Sequence, residues 1–99
     1  MIFLSLLDIV TSLSSVDDDG VIIAKKPWTI SSDAGIIKLN ISEKIEVPQV
    51  YIGMEYFIEI NVAKEVLGMP EAERISNEMK TELLIFYAEN DAYPDWIYQ

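Results

Sequence analysis

The sequence predicts a single α+β domain: a mostly antiparallel four-stranded sheet with helices packed on one face, in the order α-β-β-β-α-α-β. Three observations carry this. The chain has 99 residues, 51% of them hydrophobic, with only four glycines and four prolines, which suits one compact core and not a disordered acidic segment. Its apolar residues are spaced as in a helix at the start and alternate in the middle, a change of period that separates helix from strand. No βαβ unit repeats, so helices flank a run of strands.

Residues 2–15 place Ile2, Phe3, Leu6, Leu7, Ile9, Val10 and Leu13 three and four apart, one wide apolar face of a helix. Asp17-Asp18-Asp19-Gly20 ends that period with turn formers, and Val21–Ala24 begins a short β-rich run, the first strand. Pro27 bars a regular ladder beyond Lys26. After a Ser- and Gly-containing loop, Ile37, Leu39 and Ile41 alternate with Lys38 and Asn40, giving a second strand over Ile36–Ile41. A polar connection through Pro48 leads to the third strand, Gly53–Ile60, with Met54, Tyr56, Ile58 and Ile60 on one side and Glu55 and Glu59 on the other. Asn61 suits the cap of a short helix that Gly68 stops; Pro70 suits the first turn of another, with Ala72, Ile75 and Met79 facing the core. The aliphatic and aromatic run Glu82–Ala88 reads as the fourth strand, and residues 89–99 as an acidic, aromatic tail.

The missing residue types narrow the chemistry. There is no cysteine and no histidine, so thiolate nucleophiles, zinc-thiolate sites and the commonest general base are all excluded. Carboxylate chemistry remains as the basis for an enzyme, and a pocket for it in so short a chain is small. No cofactor and no metal site is predicted. The 17 acidic residues outnumber the 7 basic ones, for a net charge of −10, which repels nucleic acid and anionic membrane but steers the chain toward a basic protein. Asp8 interrupts the first apolar run, no basic residue precedes it, and no apolar stretch approaches the roughly 20 residues that span a bilayer. The expectation is a cytoplasmic protein.

Five features invite functional readings. Asp17, Asp18 and Asp19 before Gly20 suggest a calcium loop, but with Gly20 as the sixth position the first is Ser15 and the twelfth Lys26, where the motif requires Asp and a bidentate Glu. The cluster reads as an acidic turn or a contact patch for a basic partner. Lys25-Lys26-Pro27-Trp28 is the one local concentration of positive charge, and Trp28 fits a core-closing role better than a base-stacking one. Glu55 and Glu59, four residues apart on one strand, stand about 13 Å from each other, beyond the roughly 5–9.5 Å of a glycosidase pair. Asn40-Ile41-Ser42 matches a glycosylation sequon by spelling alone.

The fifth is the tail, Tyr87 to Gln99, which mixes three acids, three tyrosines and a tryptophan with no base. Tyrosine and tryptophan are favoured interface anchors, and neighbouring carboxylates accept charge-assisted bonds from a partner's Arg or Lys. A Tyr93-Pro94 turn suits the display of Asp91 and Asp95 while Trp96 is buried. The helix-first layout, the Lys26-Pro27-Trp28 step and the run Tyr87-Ala88-Glu89-Asn90-Asp91-Ala92-Tyr93-Pro94-Asp95-Trp96 resemble small acidic bacterial proteins of polymorphic toxin loci, among them immunity proteins of contact-dependent growth inhibition. That resemblance implies a non-enzymatic protein that binds the C-terminal nuclease domain of its cognate toxin, with an RNase as the leading target. The expected contacts are Glu89, Asp91, Tyr93, Asp95 and Tyr98, with Asp17, Asp18 and Asp19 as a second group. Two other classes compete: a nucleic-acid mimic that inhibits a defence enzyme, and a carboxylate-metal enzyme.

Overall fold

A computed structural model describes residues 4–38 and 53–98. It contains β1 (Leu4–Ser5), α1 (Leu6–Thr11), β2 (Gly20–Lys25), β3 (Asp33–Lys38), β4 (Met54–Glu59), α2 (Ile60–Leu67) and α3 (Asn77–Asn90), with 3-10 turns at Leu13–Ser15, Pro70–Arg74 and Asp95–Tyr98. The strands form one sheet in the order β1-β3-β2-β4, and every neighbouring pair is antiparallel. The architecture is α+β, as the residue pattern predicts.

The first helix is shorter than its apolar pattern. Ser5 caps it: its Oγ accepts the Asp8 N–H at 3.1 Å while the Asp8 carboxylate accepts the Ser5 N–H at 3.1 Å, a reciprocal capping box. Leu4 and Ser5 therefore lie outside the helix and pair with Ala34 and Asp33. That edge pairing supplies the fourth strand. Residues 2 and 3, and the expected strand end at 39–41, lie outside the described residues, as do Pro48 and the sequon.

The segment Glu82–Ala88 is not a strand but the middle of α3. A continuous apolar run fits a buried strand or a buried helix equally well by periodicity. Here Ser76 caps the segment by accepting the Met79 N–H at 3.2 Å, and no Gly or Pro interrupts residues 77–90, so the helix runs through. Thr81, Leu83, Leu84 and Ile85 are buried along it, and Thr81 satisfies its hydroxyl on the Asn77 carbonyl at 2.8 Å. The structure shifts two smaller features as well. Glu59, not Asn61, is the cap residue of α2, and Pro70 opens a 3-10 turn instead of a helix. Met79, expected in the core, is 40% exposed.

The main core lies between the helices and one face of the sheet. Leu6, Ile9 and Val10 of α1, Ile60, Ala63 and Val66 of α2, and Leu83 and Leu84 of α3 pack with Ile22, Ala24, Ala34, Phe57 and Ile58. On the opposite face Val21, Ile23, Ile37 and Met54 form a second buried cluster. β2 and β3 keep strict alternation between these faces. β4 does not, because Ile22 faces Ile58 while Ile23 faces Tyr56, which leaves Phe57 as the extra residue of a β-bulge. Phe57 and Ile58 then both reach the helix side, where Phe57 meets Trp28 edge-on with centroids 4.9 Å apart. The Trp28 Nε1 donates to the Ala24 carbonyl at 3.2 Å, so this tryptophan closes the core. The bulge also separates the two glutamates: Glu55 sits opposite Ala24 on the helix side and Glu59 opposite Val21 on the other. Gly20, at the start of β2, is a close approach; a Cβ there would lie 2.9 Å from the Ile60 Cδ1.

Candidate protein-binding surface

Asp91 is the first residue past α3, and its backbone is left-handed, φ 52° and ψ 37°, with its N–H donating to the Tyr87 carbonyl at 2.7 Å. Glycine occupies that position at least cost. The last turn of α3 contains no basic residue, so the Asp91 carboxylate stands beside the negative end of the helix dipole, an arrangement that costs about 0.3–1 kcal/mol. One residue thus carries two local penalties. Asp91→Gly is expected to stabilise the fold by about 0.5–1.5 kcal/mol, a rise of several degrees in the thermal midpoint at about 4–8 °C per kcal/mol. A midpoint that stays put or falls contradicts this reading of the site.

Asp91 borders a groove of about 450 Å³ that opens along β4 and is walled by Tyr56, Glu59, Val62, Tyr87 and Ala88. Tyr87 packs against Tyr93 with ring centroids 5.4 Å apart. Asp91 is thus brought to a groove that Tyr56, Glu59 and Tyr87 also line, and Tyr93 to Tyr87, neighbours that the chain order hides, whereas Tyr98 lines a separate groove with Glu71, Arg74 and Trp96. Tyr56, Tyr93 and Tyr98 are all among the exposed large side chains, at 47%, 37% and 61%. Pro94 and Ile97 are buried and anchor the turn Asp95–Tyr98 to the core side, while Trp96 is half-buried. Asp95 is exposed at the first position of that turn.

Other expected contacts stand apart. Glu89, still within α3, lines a different groove with Lys26, Pro27 and Trp28, where the Lys26 ammonium lies 4.8 Å from the Trp28 ring and 3.7 Å from Glu55. Asp18 is bound to Lys64 at 2.6 Å, and Lys64 also donates to the Val16 carbonyl. Asp17 faces Lys38 at 4.0 Å. Two of the three carboxylates in the acidic turn are thus already paired inside the chain, which ties the turn to α2 and β3. Among the described residues no group of three or more carboxylates is placed to hold a metal ion, and no helix is long and apolar enough to cross a membrane.

Two phenols report on this surface. Partial burial pushes the Tyr56 hydroxyl above its ordinary value; the charge and side-chain hydrogen bond of Glu59 add to the effect, and a backbone hydrogen bond at Glu59 opposes it. Partial burial also raises Tyr93, reinforced by Tyr87, Tyr98 and Glu65. Each phenol holds its proton more tightly folded than unfolded. The stability this contributes is whole below the ordinary value of 10.0 and is lost as the pH rises through the raised folded value. Replacing Tyr56 and Tyr93 together by Phe is expected to flatten the fall of the urea midpoint above about pH 10. A fall as steep as in the parent chain contradicts the assignment.

No family model matches the chain, and neither a curated protein nor a solved structure matches it.

Proposed function

We propose that this chain is an immunity protein: an inhibitor that binds the C-terminal nuclease domain of a cognate toxin, an RNase in the leading case, and covers the basic surface that holds the substrate's phosphates. The observation that carries this reading is the acidic, tyrosine-rich end of α3. Asp91 is kept there in a costly conformation beside Tyr87, Tyr93 and Glu59. Residues kept at a local cost in stability are what a functional surface leads one to look for.

The physics of such a complex follows from the charges. A nuclease must present Lys and Arg to hold phosphates, and a partner of net charge −10 is drawn to that surface with a fast, salt-sensitive association rate. Tyrosines supply the rigid, partly apolar area that holds the complex once formed. The tyrosines interleaved with the carboxylates favour a protein partner over mimicry of a nucleic-acid backbone, which calls for acids at regular intervals. Binding, not chemistry, is the proposed activity. The test is to read the neighbouring frame for a large secreted protein and to co-express the C-terminal domain it encodes with this chain in a bacterial host. Growth arrest by that domain is expected to be relieved by this chain, with cellular RNA left intact. Arrest that persists at matched expression, or a neighbouring frame with no such domain, contradicts the proposal.

A further inference from the structure

We infer that a groove on the α1 side of the molecule binds a small organic anion, a carboxylate carried on an apolar body. The groove lies where the end of α1, the end of α2 and the start of α3 meet. It encloses about 400 Å³ and shares no lining residue with the groove beside Asp91. The site thus goes beyond the binding function proposed above and does not depend on it.

Two properties of the groove select this ligand. The first is its sign. The chain carries 17 acidic residues against 7 basic ones, and three other grooves each present a carboxylate: Glu59 and Asp91 along β4, Glu89 beside Trp28, and Glu71 beside Trp96. Here, among the described residues, the charged lining is Lys64 and Lys80. The helix ends do not decide the sign, because the first turn of α3 and the last turn of α2 present opposite ends of their dipoles and offset each other. Lys64 is fixed in place: its Nζ donates to the Val16 carbonyl and, at 2.6 Å, to the Asp18 carboxylate. A cation held in this way loses little freedom when a ligand arrives. Asp18 offsets much of the Lys64 charge, so Lys80 sets the net sign of the groove. The second property is the floor. Val10 and Leu13 are buried and Leu67 is half-buried, an apolar surface for an alkyl or aryl group, and the exposed Asn77 adds an amide donor. Small-molecule sites combine such an apolar lining with a few polar groups that fix orientation, in volumes from about 300 Å³ upward. An inorganic anion leaves the floor unused, and a neutral hydrocarbon leaves the lysines unused. A carboxylate on an alkyl chain engages both.

The experiment titrates the full chain with sodium octanoate and follows backbone amide shifts by NMR at low salt, with acetate, octan-1-ol and inorganic phosphate as comparison probes. Saturating shifts are expected at residues 10–14, 64–68 and 77–80, with octanoate bound at least about tenfold more tightly than any of the three. Hexanoate is expected to bind about three- to tenfold more weakly than octanoate, for the two methylenes withdrawn from the floor. Lys80→Glu is expected to weaken octanoate binding at least about tenfold, while Lys80→Arg, which keeps the charge, holds it within about threefold. Shifts that do not saturate, that octanol or phosphate reproduces at the same concentration, or that Lys80→Glu leaves unchanged overturn the site.

Discussion

Truncating Leu84 to alanine is expected to destabilise the fold by about 2–5 kcal/mol, the range for removing a buried leucine from a close-packed core. Leu84 is fully buried and lies on α3 among residues of α1, α2 and the sheet. Domains of this size are held by only about 5–15 kcal/mol in total, so the variant is expected to populate unfolded chain at modest temperature. Chemical denaturation measures it directly. A scan of the neighbours carries the structural content: Leu83→Ala is expected to cost a similar amount, whereas alanine at the exposed Glu82 and Glu89 is expected to cost little. A result that alternated residue by residue through 82–88 would put this segment back in a strand.

Reversing Asp91 and Asp95 to Lys together is expected to weaken binding of the toxin domain by about 3–5 kcal/mol, two to four decades in affinity. Both residues are exposed, so the fold tolerates the change. Asp91→Lys even puts a cation where the helix dipole favours one. Much of the loss is expected in the association rate, because like charges now meet on approach. The parent complex should weaken steeply with salt, and the variant should lose most of that dependence. Unaltered affinity in the double variant contradicts the placement of the contact.

The two results bear on different links of the argument, and the sequence informs them unequally. The strands β2, β3 and β4 were legible because Val21–Ala24, Ile36–Lys38 and Met54–Ile58 carry β-branched or alternating residues between breakers. Gly68 ends α2 as its position predicts. The segment 82–88 misleads because a run without polar gaps has no period to read, and the decisive feature, Ser76 as cap, lies six residues upstream. The bulge at Phe57 is equally hidden. It arises from pairing with β2, so the pattern of β4 alone places Glu55 and Glu59 on one face when they lie on two.

The same limit explains the candidate surface. Asp91, Tyr93 and Tyr98 stand out in the chain as an acidic, aromatic run, and that signal is local. Tyr56 and Glu59 join Asp91 only because α3 runs as a helix to Asn90 and delivers Asp91 to the groove beside β4. With 82–88 taken as a strand, no argument from spacing brings these residues together. A left-handed residue after a helix is the one clue available from sequence, since Asp tolerates that conformation better than most, yet it needs the helix end to be known first.

The most direct test of the account is amide hydrogen exchange of the free chain against its complex with the toxin's nuclease domain. Protection is predicted over residues 56–65 and 87–98, with the acidic turn at 17–19 changing little. Protection confined to that turn, or to the α1 and Lys80 side of the molecule, would contradict it.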